Sequence, residues 1–306
     1  AHSRPPQVPR RRRPWWKSKS AIAAYVFIAP YVVFFAVFRI YPAVYGIGLS
    51  FGEYSLAGAF RFIGQENYAR LVEDPLFWES LRVTFKYAAI SMPLTVILSV
   101  AMAQLCNRMM RGMAFYRSIF FLPAVTSPVL SGLIFVWIFS DSGPINAVFD
   151  AVGLPTVSWL QDSFWVLPAL ALVSAWMNFG YNMLILLAGM LAIPQEYYEA
   201  AALDGANAWQ LAWHVKLPII RPWIGYAVLM NLAYGFQLFL EPQLLDQVGG
   251  NALDDQWTPT QLGYAFAFSN YNFPAAAAMS LILLVITLGI GLLVVFRSGL
   301  FGEEES

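Results

Sequence analysis

Apolar runs long enough to cross a bilayer recur along this chain, and that recurrence limits its folds more than any other feature. A hydrocarbon core of about 30 Å needs roughly 20 apolar residues in a helix. Six segments approach or exceed that length: residues 21–49, 81–105, 115–139, 164–192, 223–240 and 273–296. Lipid offers backbone groups no hydrogen-bond partners, so helices are the expected spanning element. Composition agrees. Of 306 residues 59% are hydrophobic and 12% charged, roughly half the charged share of an ordinary soluble domain. The expected fold is an all-α integral membrane protein with about six transmembrane helices. Pro30, Pro42, Pro93, Pro123, Pro128 and Pro168 lie in or at the ends of the spans and are expected to kink them where a cavity or a neighbouring helix satisfies the freed carbonyls. Residues 145–160 are partly apolar, but Gly153 and Pro155 break the run. They are expected to form an extracytoplasmic loop with a short interfacial helix.

Charge placement sets an expected orientation. Residues 1–20 are rich in Pro and Arg, with Arg10 to Arg13, Lys17 and Lys19 beside Trp15 and Trp16. The segment cannot bury a core and reads as a cytoplasmic tail whose two Trp sit at headgroup level. The apolar run behind it is longer than the core of a cleaved signal peptide. A nucleic-acid-binding arm is the rival reading of the Arg run; its position directly before an apolar helix argues against it, and no nucleic-acid partner is expected. With six spans both termini share a side. The inside then holds thirteen Lys and Arg: seven in the tail, Arg108, Arg111, Arg117, Lys216, Arg221 and Arg297. The outside holds three, Arg61, Arg70 and Arg82. That asymmetry is the positive-inside pattern. Arg39 and Lys86 fall within spans, toward their outer ends, where long side chains can reach the headgroups; for Arg39 a functional role stays open.

Several chemistries lack their residues. A single cysteine, Cys106, and two histidines, His2 and His214, cannot build a disulfide or a thiolate or imidazole metal cluster. No G-x-x-x-x-G-K-[ST] phosphate loop and no G-x-S-x-G elbow occurs, so no cofactor is expected in this chain. If ATP is used, a partner must hydrolyse it.

The apolar pattern is interrupted most clearly at residues 193–222. Good helix formers run through Tyr198-Glu199-Ala200-Ala201-Ala202-Leu203, and Gly205 then breaks the helix at low steric cost. Asp204 or Asn207 can cap a second short helix over residues 208–214, which Pro218 is expected to stop. Ala200, Ala201 and Ala202 leave a low surface that another protein can approach, with Glu199 and Asp204 beside it. An ordinary solvated loop is the plainer reading of the same residues.

The spacing Glu199-Ala200-Ala201, three residues, Gly205, nine residues, Val215, one residue, Leu217-Pro218 resembles the EAA loop of ABC-importer membrane subunits, with Val215 where that family has Ile. Trp176, Gly180, Asn182, Met183, Ala188-Gly189, Ile193-Pro194 and Tyr198 resemble its sugar-importer (MalF-like) branch. So do Tyr41-Pro42, Leu49-Ser50-Phe51, Phe236-Gln237-Leu238-Phe239, Gly249-Gly250 and Thr258-Pro259-Thr260. Pro274 stands where the family commonly has Gly, which leaves the start of the last helix open. The resemblance runs from about residue 21 to 297. It implies a cytoplasmic tail at 1–20, a transmembrane domain at 21–297 with the EAA coupling loop at 193–222, and a cytoplasmic C-terminal tail at 298–306. It implies contact with an ATPase through Glu199, Ala200, Ala201, Asp204, Gly205, Leu217 and Pro218. The implied partners are a second homologous permease subunit, two ATPase subunits that hold ATP and Mg, an extracytoplasmic solute-binding protein and the lipid membrane.

Polar and aromatic residues inside spans are candidates for the solute path, because polar groups in lipid are costly and face a cavity or another helix. The fourth span offers Trp176, Asn178, Tyr181 and Asn182; the fifth offers Asn231, Tyr234, Gln237 and, at its outer end, Glu241. Flat aromatic faces and amides suit a sugar. Helix-to-helix hydrogen bonds and the interfacial aromatic belt are the plainer roles for several of them. A stand-alone ion-coupled secondary transporter is the alternative function. It needs acids near the bilayer midplane, whereas the acids here lie in loops or at span ends. A membrane-embedded enzyme lacks a catalytic cluster.

Overall fold

Long helices dominate the computed structural model, which describes residues 19–54, 58–107, 112–248 and 258–298. Most of the basic tail, Arg108, Arg111, Gly249-Gly250 and nearly all of the C-terminal tail lie outside the described residues. The first span is one helical rod made of α1 (Lys19–Phe35), a π turn (Ala36–Ile40) and α2 (Tyr41–Ser50). Its most apolar stretch buries no residue against the rest of the chain, and side chains such as Phe27 and Phe38 point outward. Arg39 lies in the π turn and is exposed. The expected break at Pro42 does not occur. Proline lacks an N–H and its ring clashes with the carbonyl four residues back. Here the Tyr41 N–H bonds the Ala36 carbonyl one residue further back, and the widened turn accommodates the ring.

Among the described residues the one departure from an all-α chain is a small ribbon, β1 (Gly52–Tyr54) antiparallel to β2 (Phe60–Phe62). Buried Asn67, on α3 (Glu66–Glu73), fixes it to the first rod, donating to the Ser50 carbonyl at 2.9 Å and the Gly52 carbonyl at 2.8 Å. Helix α4 (Pro75–Cys106) begins earlier than its apolar run, where Asp74 caps it by accepting from the Leu76 N–H at 2.9 Å. Its 32 residues reach about 48 Å, more than a bilayer core, so its first turns stand clear of the hydrocarbon. Lys86 is exposed.

The third span is not a straight helix. Helices α5 (Met113–Val125) and α6 (Pro128–Ile138) meet at 93°. The residue before a proline avoids the helical region, and Ser127 before Pro128 is extended, with ψ 126°. Thr126 accommodates the corner by donating to the Pro123 carbonyl at 2.6 Å and meeting the Ser131 hydroxyl at 3.0 Å. The expected short helix in 145–160 is α7 (Pro144–Ala151). Asn146 holds the loop around it: its amide nitrogen donates to the Val157 carbonyl at 2.9 Å, and its oxygen accepts from the Val157 N–H and the Trp159 indole.

Helix α8 (Val166–Leu191) is the centre of the molecule, with 56% of its most apolar window buried. It packs along α4 and is crossed by α5. At the crossing Gly180 meets backbone: a Cβ there would lie 2.2 Å from the Phe120 carbonyl oxygen. Small residues that let backbones approach drive helix association in membranes. The loop helices follow: α9 (Gln195–Leu203), α10 (Ala208–Leu211), a π turn (Ala212–Lys216) and α11 (Leu217–Ile219).

Helix α12 (Arg221–Phe236) has 16 residues and ends before the apolar run does. The ring of Pro242 would strike the carbonyl of residue 238 in a continuous helix, so residues 237–239 form a link and α13 (Leu240–Val248) starts anew. Thr258 caps α14 (Pro259–Tyr264) by accepting from the Gln261 N–H at 3.1 Å, and a π turn (Ala265–Ser269) follows. The last span, α15 (Phe273–Ser298), starts where Asn272 accepts from the Ala275 N–H at 3.1 Å; Pro274 sits in its first turn, where no intrahelical N–H is needed. The six expected spans thus comprise four long helices, one bent pair and the shorter α12.

The Gly180 crossing gives a direct test. Gly180→Leu should lower the thermal unfolding midpoint in detergent, overpacking of this kind costing about 1–3 kcal/mol. Gly46→Leu, where no atom lies within 4 Å of the missing Cβ, should leave the midpoint in place.

Candidate functional site

Two features stand out, an exposed helical loop at one end of the α4–α8 pair and a polar cavity further along it. The loop is built from two standard helix ends. Helix α9 closes with Gly205 in the left-handed region, φ +72°. The Gly205 N–H bonds the Ala202 carbonyl at 3.1 Å and the Ala206 N–H bonds the Ala201 carbonyl at 3.0 Å, the paired bonds of a Schellman motif. Two residues later Asn207 opens α10. Its side chain accepts from the N–H groups of Trp209 and Gln210 at 3.0 and 2.9 Å, and Gln210 accepts from the Asn207 N–H at 2.8 Å. That reciprocal pair is a capping box, and it assigns the cap to Asn207 rather than to Asp204.

Pro218 does not stop the second helix. The π turn at Ala212–Lys216, in which the Leu217 N–H reaches back to the Ala212 carbonyl, makes room for the proline ring, and the helical path continues to Ile219. This is the same device seen before Pro42.

The loop is tied to the helices above it. Lys216 Nζ donates to Gln104 Oε1 of α4 at 3.3 Å and sits 5.5 Å over the Tyr198 ring. The Tyr198 hydroxyl donates to the Met190 carbonyl of α8 at 3.2 Å. Arg221 donates to the Arg297 carbonyl at the end of α15 at 2.8 Å. Of the expected docking residues, Glu199, Ala200, Asp204, Gly205 and Pro218 are exposed and Leu217 is partly buried. Ala201 is a correction: it is buried, because its position on α9 faces the helix ends, so the low surface consists of Ala200 and Ala202. Sequence reasoning missed the apolar knobs on the same surface. Leu203 is 90% exposed, and Trp209 and Trp213, with ring centroids 5.5 Å apart, are 70% and 52% exposed. Exposed apolar groups clustered beyond the spans mark a contact surface for another protein.

The cavity has a volume of about 380 Å³ and lies between α4, α8, α12 and the link to α13. Asn178, Asn231, Tyr234 and Gln237 line it, as does Glu241. Asn178 and Asn231 are steadied by donating to carbonyls of their own helices, at Ser174 and Ala227, which leaves their side-chain oxygens to accept from a ligand. Three expected path residues are elsewhere. Trp176 packs edge-on against Phe135 at 5.1 Å, and Tyr181 is exposed away from the cavity. Asn182, one turn along from Asn178, is buried, donates to the Asn178 carbonyl at 3.1 Å and leaves its oxygen without a partner. Each lies on a different side of α8 from the cavity or beyond its floor.

In their place α4 contributes Tyr87, Ser91 and Thr95. The signal for these was present: Tyr87, Ser91, Thr95 and Ser99 recur every four residues, which places them on one helix face. Their hydroxyls were hidden by the high hydropathy of the run around them. Ser99 joins the two helices, donating to the Phe179 carbonyl of α8 at 3.2 Å.

Residues 95–300 match the family described as binding-protein-dependent transport system inner membrane component. The probable ABC transporter permease protein YesP of Bacillus subtilis (strain 168) is 35% identical over 240 residues, which cover 77% of this chain and 77% of that protein. The arabinooligosaccharides transport system permease protein AraP of the same organism is 32% identical over 236 residues, covering 75% and 74%. Among solved structures, a chain of a bacterial alginate ABC transporter, crystallised with an alginate pentasaccharide-bound periplasmic protein, superposes with a TM-score of 0.78 over 93% of this chain and 96% of its own length. At 21% identity that likeness speaks for the fold.

The Schellman end of α9 predicts a local effect. A side chain with a Cβ adopts the left-handed conformation at about 1–2 kcal/mol, and no atom lies within 4 Å of the missing Cβ of Gly205, so strain and not collision decides. Gly205→Val should speed hydrogen exchange of the Trp209 and Gln210 amides by about tenfold. Gly205→Asn, which tolerates the left-handed region better, should speed it less, and exchange within α8 should not change.

Proposed function

Because the chain belongs to the family of binding-protein-dependent transport system inner membrane components, we propose that it forms one membrane half of the path by which an ATP-driven ABC importer takes up a saccharide. It is a transport subunit and not an enzyme. The observation that carries this reading is the placement of a polar cavity and a protein-docking loop on the same two helices, α4 and α8. Hydroxyl, amide and aromatic groups in the cavity match the hydrogen-bonding rim and apolar face of a sugar ring, and the arabinooligosaccharide relative supports that class. The stand-alone secondary transporter is not retained, since family membership implies coupling to a separate ATPase.

Residues 193–222 form the coupling loop of this proposal. Two ATPase subunits, which hold ATP and Mg, dock below the membrane subunits, one of them against Glu199, Ala200, Asp204 and the Trp209–Trp213 pair. Glu199 pairs with a basic side chain of the ATPase, and Gly205 sets the angle between α9 and α10. A second homologous permease subunit completes the path, and an extracytoplasmic binding protein delivers the solute. The loop and both termini face the cytoplasm, a placement supported by the thirteen-to-three bias of basic residues. ATP-driven closure of the ATPases moves the loop, and the Lys216–Gln104 and Tyr198–Met190 contacts pass that movement to α4 and α8.

One variant in the loop and two on the path test the assignment. Glu199→Lys should reduce co-purification of the ATPase subunits with the chain while the spans stay folded; full recovery of the complex with normal solute-stimulated ATP hydrolysis would count against the loop. Asn231→Leu should depress uptake in reconstituted vesicles by tenfold or more, as expected when a site built for hydrogen bonds loses one. Asn182→Leu removes a buried oxygen that has no partner, a change that is near neutral, and should leave uptake close to the parent.

A further inference from the structure

Among the described residues Glu241 is the single acidic side chain lining the cavity, and no Lys, Arg or His lines it. It stands in the first turn of α13 and lines the cavity together with Tyr87 and Ser91 of α4 and Ser174 of α8. It takes part in none of the ion pairs seen among the described residues, which join Arg61, Arg70 and Arg82 to Glu53, Glu66 and Glu79. Lys86 neighbours Tyr87 in sequence but is exposed on another face of α4.

A carboxylate in such a place has a defined chemistry. Ionised, it only accepts hydrogen bonds, through two oxygens, and its bonds to hydroxyl donors are charge-assisted and short. Adjacent hydroxyls of a polyol fit the two oxygens together. An anionic solute, by contrast, would bring like charges together between low-dielectric walls, where their repulsion is poorly screened. We infer that Glu241 sets the charge selectivity of this path: the cavity takes a neutral polyhydroxylated solute through its carboxylate and turns away acidic ones such as uronic-acid saccharides. This inference rests on the assignment of the cavity to the solute path.

The test reads the charge field without needing the natural solute. In the complete importer, with Cys106 replaced by Ala, Ser174→Cys and Asn231→Cys each place a thiol in the cavity wall. Labelling rates with trimethylammonium-ethyl, sulfonatoethyl and neutral methyl methanethiosulfonate are measured by mass spectrometry of this chain. A change in the thiol's own ionisation affects all three reagents alike, so the cation-to-anion rate ratio isolates the field. We expect that ratio to exceed the ratio on a free thiol by about tenfold or more, the concentrating effect of a charged cleft. Glu241→Gln should return it to the free-thiol value, while Glu241→Asp, which keeps the charge, should preserve the preference. A free-thiol ratio in the parent, or a preference that survives Glu241→Gln, would overturn the inference and leave the path assignment standing. Absence of labelling by all three reagents would remove the path assignment itself, and this inference with it.

Discussion

The seam between α4 and α8 is the contact on which the rest of the structure depends. It buries more of α8 than any other apolar helix buries, and Ser99 locks it with a side chain-to-backbone bond to Phe179. The cavity opens along this seam at Ser91, Thr95, Ser174 and Asn178. The loop is seated at its far end, at Gln104 and Met190. From Ser91 to Gln104 is thirteen residues and from Asn178 to Met190 twelve, or about 18–20 Å of helix. A helix is stiff over that length. The two sites are therefore joined by a pair of rods packed side by side.

How much of this was legible in the sequence follows from the range of the forces involved. The junction between α9 and α10 was legible because its geometry is local, whereas the π turn that carries the helix past Pro218 and the burial of Ala201 were not. A glycine at a left-handed helix end and an Asn three residues before Gln210 are decided by neighbours in the chain, and the structure shows both. Hydropathy located the four long helices and the bent pair. A kink at Pro128 was expected, but not its 93°, and the shortness of α12 was not expected. The corner between α5 and α6 and the early end of α12 both arise where a proline excludes one backbone conformation, and hydropathy is blind to backbone conformation. The cavity was half legible. Asn231, Tyr234 and Gln237 were found because polar groups are conspicuous in an apolar run, whereas Ser91 and Thr95, being small, were not. Asn182 was conspicuous and shares the face of Asn178, but one turn further along it is buried in packing, and only packing decides where along α8 the cavity ends.

Pro30 and Pro93 lie inside continuous helices, but four other prolines fall into two contrasting pairs. Pro42 and Pro218 each follow a π turn that carries the helix past them. Pro128 and Pro242 instead mark corners where the helix gives way to extended or linking residues. Both corners sit at the cavity, since Pro128 lines it and the link before Pro242 supplies Gln237, Leu238 and Phe239. Irregular backbone at membrane depth is tolerated only where protein or a water-filled cavity satisfies it. The interruptions and the cavity thus require each other.

The cavity is also incomplete in a way that the composition of its wall explains. Tyr234 is 63% exposed, and Gln237 is likewise open, although both stand at the level of the spans. In contact with hydrocarbon an amide and a phenol would lose their hydrogen bonds with water and gain nothing in return. The opposite case is the first rod, whose outward side chains, Arg39 apart, are mostly apolar and suit lipid. One exposed surface of the chain is therefore built for lipid and another for water or protein. The two polarities on this chain's surface thus call for two different surroundings, hydrocarbon along the first rod and hydrogen-bonding groups at Tyr234 and Gln237.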